Sequence, residues 1–60
     1  MPEYRSFPHK IKGGYAHTRY ELKELHHTKE EALDAAAIWH RMGFRARVDT
    51  KGRLWGVWVA

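Results

Sequence analysis

Residues 44–60, FRARVDTKGRLWGVWVA, bring arginines and tryptophans together at a spacing that suits binding chemistry. Apolar and charged residues alternate from Phe44 to Asp49, which predicts a strand with one buried face, and a second strand follows a turn. On the polar face of this hairpin we expect Arg45 to lie opposite Trp58. Guanidinium groups neutralise phosphates, and aromatic rings stack on unpaired bases. These residue types therefore predict contact with nucleic acid, provided that the other elements leave this face open.

The register of this hairpin decides which side chains share a face. A tight turn at Lys51–Gly52, or a longer loop in the same register, pairs Asp49 with Leu54 and Arg45 with Trp58. A three-residue turn would instead expose several apolar residues, so we favour the first register. It gathers the apolar side chains on one face, which comprises Phe44, Ala46, Val48, Trp55, Val57 and Val59.

The clearest predicted element is a helix that begins after Thr28 and ends at Gly43. Thr28 and Glu31 form a capping-box pattern, in which the threonine oxygen accepts from a first-turn amide and the glutamate reaches back. Gly43 can adopt the left-handed conformation that closes a helix. The apolar stripe that would face a sheet comprises Ala32, Ala35, Ala36, Trp39 and Met42.

Before the helix, alternating residues and a glycine pair predict another hairpin. A turn at Gly13–Gly14 places Phe7 opposite Tyr20, on the face toward the helix. Pro8 would confine the first strand to a sheet edge. The alternative is that residues 1–14 form a flexible basic arm.

Residues 1–60 are therefore predicted to form one domain of the α+β class. Its architecture is a two-layer ββαββ, or βαββ if the arm is unpaired, with one helix on one face of a small, mostly antiparallel sheet. A helix of about 14 residues is about 21 Å long and covers only one face of a sheet. We expect the uncovered face to bind nucleic acid through Arg45, Arg47, Trp58, Arg19, Lys23 and Arg53.

Two other interpretations use the same uncovered face. The arginine stems could simply shield the tryptophan ring on a small sheet. Alternatively, the chain is a homodimeric or accessory protein-interaction module, in which Leu54 and Trp58 pack against a twofold copy, face to face or edge to edge. Dimerisation is compatible with nucleic-acid binding, because a dimer presents two basic patches.

The charge distribution favours an anionic partner. The formal net charge is +4. Residues 1–14 have a local charge of +2 (three cations, one carboxylate) and residues 44–60 of +3 (four cations, one carboxylate). Residues 29–43, which include the predicted helix, have −1 (two cations, three carboxylates). Positive charge is therefore concentrated at the two ends of the chain.

Other classes of function find little support in these residues. There is no cysteine, so disulfides, thiolate metal sites and a cysteine nucleophile are excluded. The five histidines match no zinc or metalloprotease spacing. The only serine, Ser6, has no evident base. We expect no enzyme, no cofactor, no small-molecule substrate and no membrane partner, and we expect a cytoplasmic protein.

The stretch from Thr28 to Val59 resembles half of a sporulation-related repeat (SPOR) domain. The matching pattern is an alanine-rich helix, a glycine with an aromatic residue, a strand, and an alternating aromatic-valine strand. The residues that carry it are Ala32, Ala35, Ala36, Gly43, Phe44, Ala46, Val48, Trp55, Val57 and Val59. The resemblance implies a unit that the family repeats to build a β-α-β-β-α-β sheet, which binds septal peptidoglycan glycan strands. A dimer of this chain could restore the two-helix layout.

Overall fold

The computed structural model describes all 60 residues and contains four strands and one helix. In chain order these are β1 (Tyr4–Ile11), β2 (Gly14–His26), α1 (Lys29–Arg41), β3 (Ala46–Lys51) and β4 (Leu54–Val59). The strands form one antiparallel sheet in the order β1-β2-β4-β3, and α1 packs against β2, β3 and β4. The predicted α+β class is confirmed, and β1 is present as an edge strand.

The helix is capped as its sequence predicts, with one difference of detail. The Thr28 hydroxyl oxygen accepts from the Glu31 backbone N–H at 3.1 Å. The Glu31 carboxylate accepts from that same hydroxyl at 3.0 Å, rather than from the Thr28 backbone. At the other end, the Gly43 N–H donates to the His40 carbonyl at 3.0 Å, and Gly43 has a φ of 95°. These local contacts set the two ends of α1.

The helix and the final hairpin share an apolar core. Ala32 and Val57 are completely buried, and the core also includes Ala35, Ala36 and Val59. Trp39, Ala46, Val48 and Trp55 pack around it. The predicted apolar face of this hairpin is confirmed except at Phe44, which precedes β3 and is 47% exposed. Alanines on the helix allow the close approach, and branched residues of the strands fill the space.

The predicted register of the final hairpin is wrong by two residues. Lys51 pairs with Leu54 across a turn at Gly52–Arg53. Gly52 has a φ of 60°, which glycine adopts readily at the first position of a tight hairpin turn. A shift of two residues preserves the alternation of faces. Arg47, rather than Arg45, therefore lies opposite Trp58.

The first hairpin differs from its prediction in the same way. Ile11 pairs with Gly14 across a turn at Lys12–Gly13, and Phe7 pairs with Thr18 rather than with Tyr20. Phe7 and Tyr20 still share a face, with ring centroids 5.3 Å apart. The pairing is therefore displaced along the strands while each hairpin keeps its two faces.

A β-bulge in β2 decides which face of the first hairpin meets the helix. Leu22 pairs with Trp58, whereas Glu24 pairs with Val57, so Lys23 is an extra residue between them. Tyr20 and Leu22 consequently face away from α1, and Glu24 faces toward it. The prediction that Phe7 and Tyr20 lie beneath the helix is wrong, because alternation along β2 is interrupted at this bulge.

The face opposite the helix is not open, because the sheet curls on itself. Phe7, Tyr20 and Trp58 form a second buried cluster there, with Leu22 packed against it. The outer strands β1 and β3 approach each other across this cluster, and Arg5 of β1 reaches the Asp49 carboxylate of β3 at 2.9 Å. The curl supplies the second covering layer that a sheet with one helix otherwise lacks.

Candidate functional site

Trp58, the predicted centre of the binding surface, is completely buried. It lies on the face opposite the helix, as its position in the hairpin indicates, but the Phe7 ring packs against it with centroids 5.9 Å apart. The prediction of an exposed Trp58 is wrong, because β1 curls over the ring. In this conformation Trp58 has no surface with which to stack on a base or contact a second copy.

Arg47 is exposed, but its guanidinium lies over the edge of the same cluster. Its guanidinium lies 4.8 Å from the Phe7 ring centroid and donates to the Pro8 carbonyl at 3.0 Å. Arg5 mirrors it from the other edge: its guanidinium lies 4.3 Å from the Trp58 ring centroid and donates to Asp49 and to the Thr50 carbonyl. We call Arg5 and Arg47 the arginine latch. This arrangement agrees with the interpretation that arginine stems shield the aromatic face, although Arg5 covers Trp58 and Arg47 covers Phe7.

The remaining predicted residues of the final hairpin do not lie together in one site. Arg45 is exposed just before β3, where its backbone pairs with Ala60. Arg53 is exposed in the β3–β4 turn. Neither side chain takes part in the ion pairs of the protein. Leu54, the predicted interface residue, is half-buried at the start of β4.

Arg19 and Lys23 lie on the other side of the sheet from the arginine latch. Glu21 pairs with Val59, a residue of the helix-side core, so Arg19, two residues before it, shares that face. Lys23 sits at the bulge and donates to the Glu21 carboxylate at 3.2 Å. The structure therefore divides the six predicted residues between two faces and a turn.

The ribbon, defined as residues 4–20, is the part of the first hairpin that pairs only with itself. The pairing of β2 with β4 begins at Glu21, so the backbone of earlier β2 residues pairs with β1 alone. The ribbon contains no aspartate or glutamate, and its four cations are Arg5, Lys10, Lys12 and Arg19. Only Arg5 is engaged in the latch. The face that the ribbon turns toward the helix side is thus basic and uncovered.

Aromatic side chains accompany these cations. Tyr15, near the tip of the ribbon, is 72% exposed. Tyr4 is half exposed, and the Arg19 guanidinium lies 4.5 Å from its ring centroid. A guanidinium stacked on a ring forms a flat cationic platform. Such a platform can contact both a phosphate and the face of a planar ligand.

The cleft is a concave site of about 370 Å³ between the ribbon and the C-terminal end of α1. Its aromatic walls come from β1, from α1 and from the loop between α1 and β3, and Trp39 and Phe44 meet edge to face with centroids 5.5 Å apart. Its polar groups come from β2. The lining residues are Tyr4, Arg19, Glu21, Lys23, Trp39, Phe44, Val59 and Ala60.

The Trp39 wall of the cleft is fixed by Glu24. The Trp39 indole N–H donates to the Glu24 carboxylate at 2.6 Å, and His26 contacts the other carboxylate oxygen at 2.9 Å. The indole hydrogen bond, above all, lowers the pKa of Glu24; partial burial opposes this, and His26 adds to it. Trp39 is therefore held in place from β2, and its N–H is already used.

No group of three or more His, Asp or Glu side chains is arranged to hold a metal ion. The single helix is too short and too polar to span a membrane.

Tyr4, Trp39 and Phe44 are the candidate residues that sequence reasoning missed. The sequence pattern places Trp39 in the core and Phe44 on a buried strand face, whereas Tyr4 lies in the segment that could form an arm. One signal is present in the sequence: residues 4–20 carry no carboxylate, although the remaining positions carry seven. That asymmetry would have directed attention to the first hairpin rather than to the last.

Comparison with family models, with curated proteins and with solved structures finds no match to this chain.

Proposed function

We propose that this protein binds nucleic acid through the ribbon. The observation that carries the proposal is an acid-free ribbon surface, in which Lys10, Lys12 and Arg19 accompany exposed tyrosine rings. Lys10 and Lys12 lie in the carboxylate-free ribbon and take part in no ion pair, so they can attract a polyanion at long range and replace its counterions on contact. Exposed rings add stacking that is insensitive to sequence.

The charge of the helix supports this orientation. Helix α1 carries Glu30, Glu31 and Asp34 against Lys29 and Arg41, which gives it a net charge of −1. A polyanion is therefore attracted to the ribbon and weakly repelled by the exposed side of α1. This difference in charge favours the ribbon over the helix as the point of approach.

The other function considered is self-association through Leu54 and Trp58. Its principal side chain cannot contact a second copy, because Trp58 is completely buried. The edge strands are also partly occupied, since the latch arginines donate to the Pro8 and Thr50 carbonyls. Both observations count against a dimer formed through these residues.

The first test is a comparison of two matched double variants. Lys10→Ala with Lys12→Ala removes two cations from the ribbon, and Arg45→Ala with Arg53→Ala removes two exposed cations elsewhere. Binding of a fluorescently labelled, mixed-sequence oligonucleotide is followed by anisotropy at several salt concentrations. The ribbon variant should bind more weakly. For a single strand, the loss of two phosphate contacts should also reduce the slope of log affinity against log salt concentration by about 1.4.

The arginine variant serves as the control and should bind nearly as well as the parent protein. If the arginine variant alone loses affinity, the interface lies on the final hairpin and the ribbon proposal is wrong. If no oligonucleotide binds the parent protein even at low salt, nucleic-acid binding itself is excluded. Sedimentation velocity on the same samples reports whether a dimer forms.

A further inference from the structure

The cleft has the composition of a site for one planar, polar ligand. Three aromatic side chains, two cations and one carboxylate surround a volume of about 370 Å³. This is near the lower end of the range for small-ligand pockets, roughly 300–1,000 Å³. A single ring system can enter such a space, whereas a helix or a nucleic-acid duplex cannot.

Two of the rings are presented to that space rather than used in the core. Tyr4 is 46% exposed and Phe44 is 47% exposed. Phe44 is held at the mouth of the cleft by its backbone N–H, which donates to the Trp39 carbonyl at 3.1 Å. The Tyr4 ring is backed by the Arg19 guanidinium at 4.5 Å. A planar group between Tyr4 and Phe44 would gain stacking without disturbing either buried core.

The polar groups match the two ends of a nucleotide. The Glu21 carboxylate can accept from an exocyclic amine, as acidic side chains do from cytosine. Arg19 can contact the phosphate that follows the base, whereas Lys23 already donates to the Glu21 carboxylate at 3.2 Å. In a duplex, both the faces and the pairing edge of each base are already covered. Only an unpaired base can present its faces, its exocyclic amine and its phosphate to this cleft together.

We infer that the cleft binds one unpaired nucleobase of the strand held by the ribbon, so that the protein selects single-stranded over double-stranded nucleic acid. The inference rests on the proposed function and adds the class of ligand to it. The ribbon supplies general attraction to phosphates, and the cleft supplies the discrimination between strands. Arg19 belongs to both surfaces and joins them.

The experiment combines strand preference with a variant that keeps the fold. Phe44→Leu retains an apolar side chain at the mouth of the cleft and removes the flat ring. Affinity for a mixed-sequence single strand should fall by about 5- to 150-fold, the range for one lost base stack. Affinity for the matched duplex should not change. Ile38→Ala, which shortens an exposed apolar side chain of α1 outside the cleft, should alter neither.

A nitrogen–proton NMR titration locates the base directly. Cytidine monophosphate should shift the Trp39 indole and Phe44 amide signals, whereas ribose 5-phosphate, which has no base, should not shift them. The inference is overturned if the single strand and duplex bind equally and Phe44→Leu binds like the parent. If the Lys10 and Lys12 double variant still weakens binding in that case, the proposed function survives alone. If the protein binds no oligonucleotide at all, both the inference and the proposed function are wrong.

Discussion

Gly56 shows how closely single residues determine the second core. It is buried in β4, and a Cβ at this position would lie 2.8 Å from both the Leu22 Cδ1 and the Trp58 Nε1 atoms. The indole N–H of Trp58 is itself buried without a hydrogen-bond partner. The Trp58 ring thus occupies the space that any side chain at position 56 would need, and packing takes precedence over satisfaction of the N–H.

We therefore expect Gly56→Ala to destabilise the protein by about 1–3 kcal/mol, the usual cost of overpacking a core. Urea unfolding followed by circular dichroism measures the change. Trp58→Phe is the matched partner variant, because a phenyl ring lacks the Nε1 atom. In a double-mutant cycle, the alanine should cost less in the Trp58→Phe background than in the parent protein. Equal costs in the two backgrounds would show that this contact does not limit packing.

At the scale of elements, Glu24 fastens the helix to the sheet. It lies just after the bulge in β2 and receives the indole N–H of Trp39 from α1. Because this bond favours the carboxylate, the pKa of Glu24 is lower in the folded protein than in the unfolded chain. Its contribution to stability is complete above the unfolded pKa of about 4.3 and is lost as the pH falls through the folded pKa.

Glu24→Gln should consequently reduce stability at neutral pH and flatten the decline of stability below about pH 4.3. The amide oxygen can still accept from Trp39, so the expected loss at neutral pH is about 1 kcal/mol. Urea unfolding at pH values from 7 to 3 measures both effects. Asp34→Asn is the control, because it removes an exposed helix carboxylate that takes no part in the ion pairs and leaves the bond between Glu24 and Trp39 in place. An unchanged profile for Glu24→Gln would contradict the role of this bond.

The elements themselves were largely predictable because their signals are local. Thr28, Glu31 and Gly43 set the ends of α1, and the alanine stripe identifies its buried face. The strand registers were harder to predict, because a glycine can take either central position of a two-residue turn. Both turns begin one residue away from the predicted place, which moved each register by two positions.

The bulge at Lys23 was not predictable from alternation alone. Leu22 and Glu24 occupy positions of the same parity, yet they face opposite sides of the sheet. Nothing in the local pattern distinguishes a bulged strand from a regular one at this point. The bulge therefore changes the candidate site. Arg19 and Lys23 lie on the helix side of the sheet, and Phe7 and Tyr20 lie on the opposite side, the reverse of the prediction.

For the molecule as a whole, curling of the sheet replaces a missing second layer. A 60-residue chain buries only about 60% of the surface that it exposes when unfolded, so an uncovered aromatic face is costly. Here the outer strands meet across that face, and the arginine latch and a Lys51–Glu3 ion pair of 2.7 Å join them. The resemblance of residues 28–59 to half of a SPOR repeat stays a prediction about architecture. The curl depends on contacts between residues far apart in sequence, which a local pattern does not reveal.

The latch also leads to the last prediction. Arg5 combines an exposed ion pair, usually about 0.2–1 kcal/mol, with a cation–π contact of about 0.5–2 kcal/mol over Trp58. Arg5→Ala should therefore cost about 1–2 kcal/mol, and each kcal/mol lowers the melting temperature of so small a domain by about 4–8 °C. Because the guanidinium covers the ring, exchange of the Trp58 indole proton with solvent should become faster.

Arg53→Ala provides the control, because it makes the same change of charge in an exposed turn and should leave both measurements near the parental values. Hydrogen exchange followed by NMR separates the two explanations of any destabilisation. If Arg5→Ala lowers the melting temperature without accelerating exchange at Trp58, the arginine contributes through its ion pair alone. Faster exchange at Trp58, with the Trp39 and Trp55 indoles unchanged, would locate the opening between β1 and β3, where the curled sheet closes.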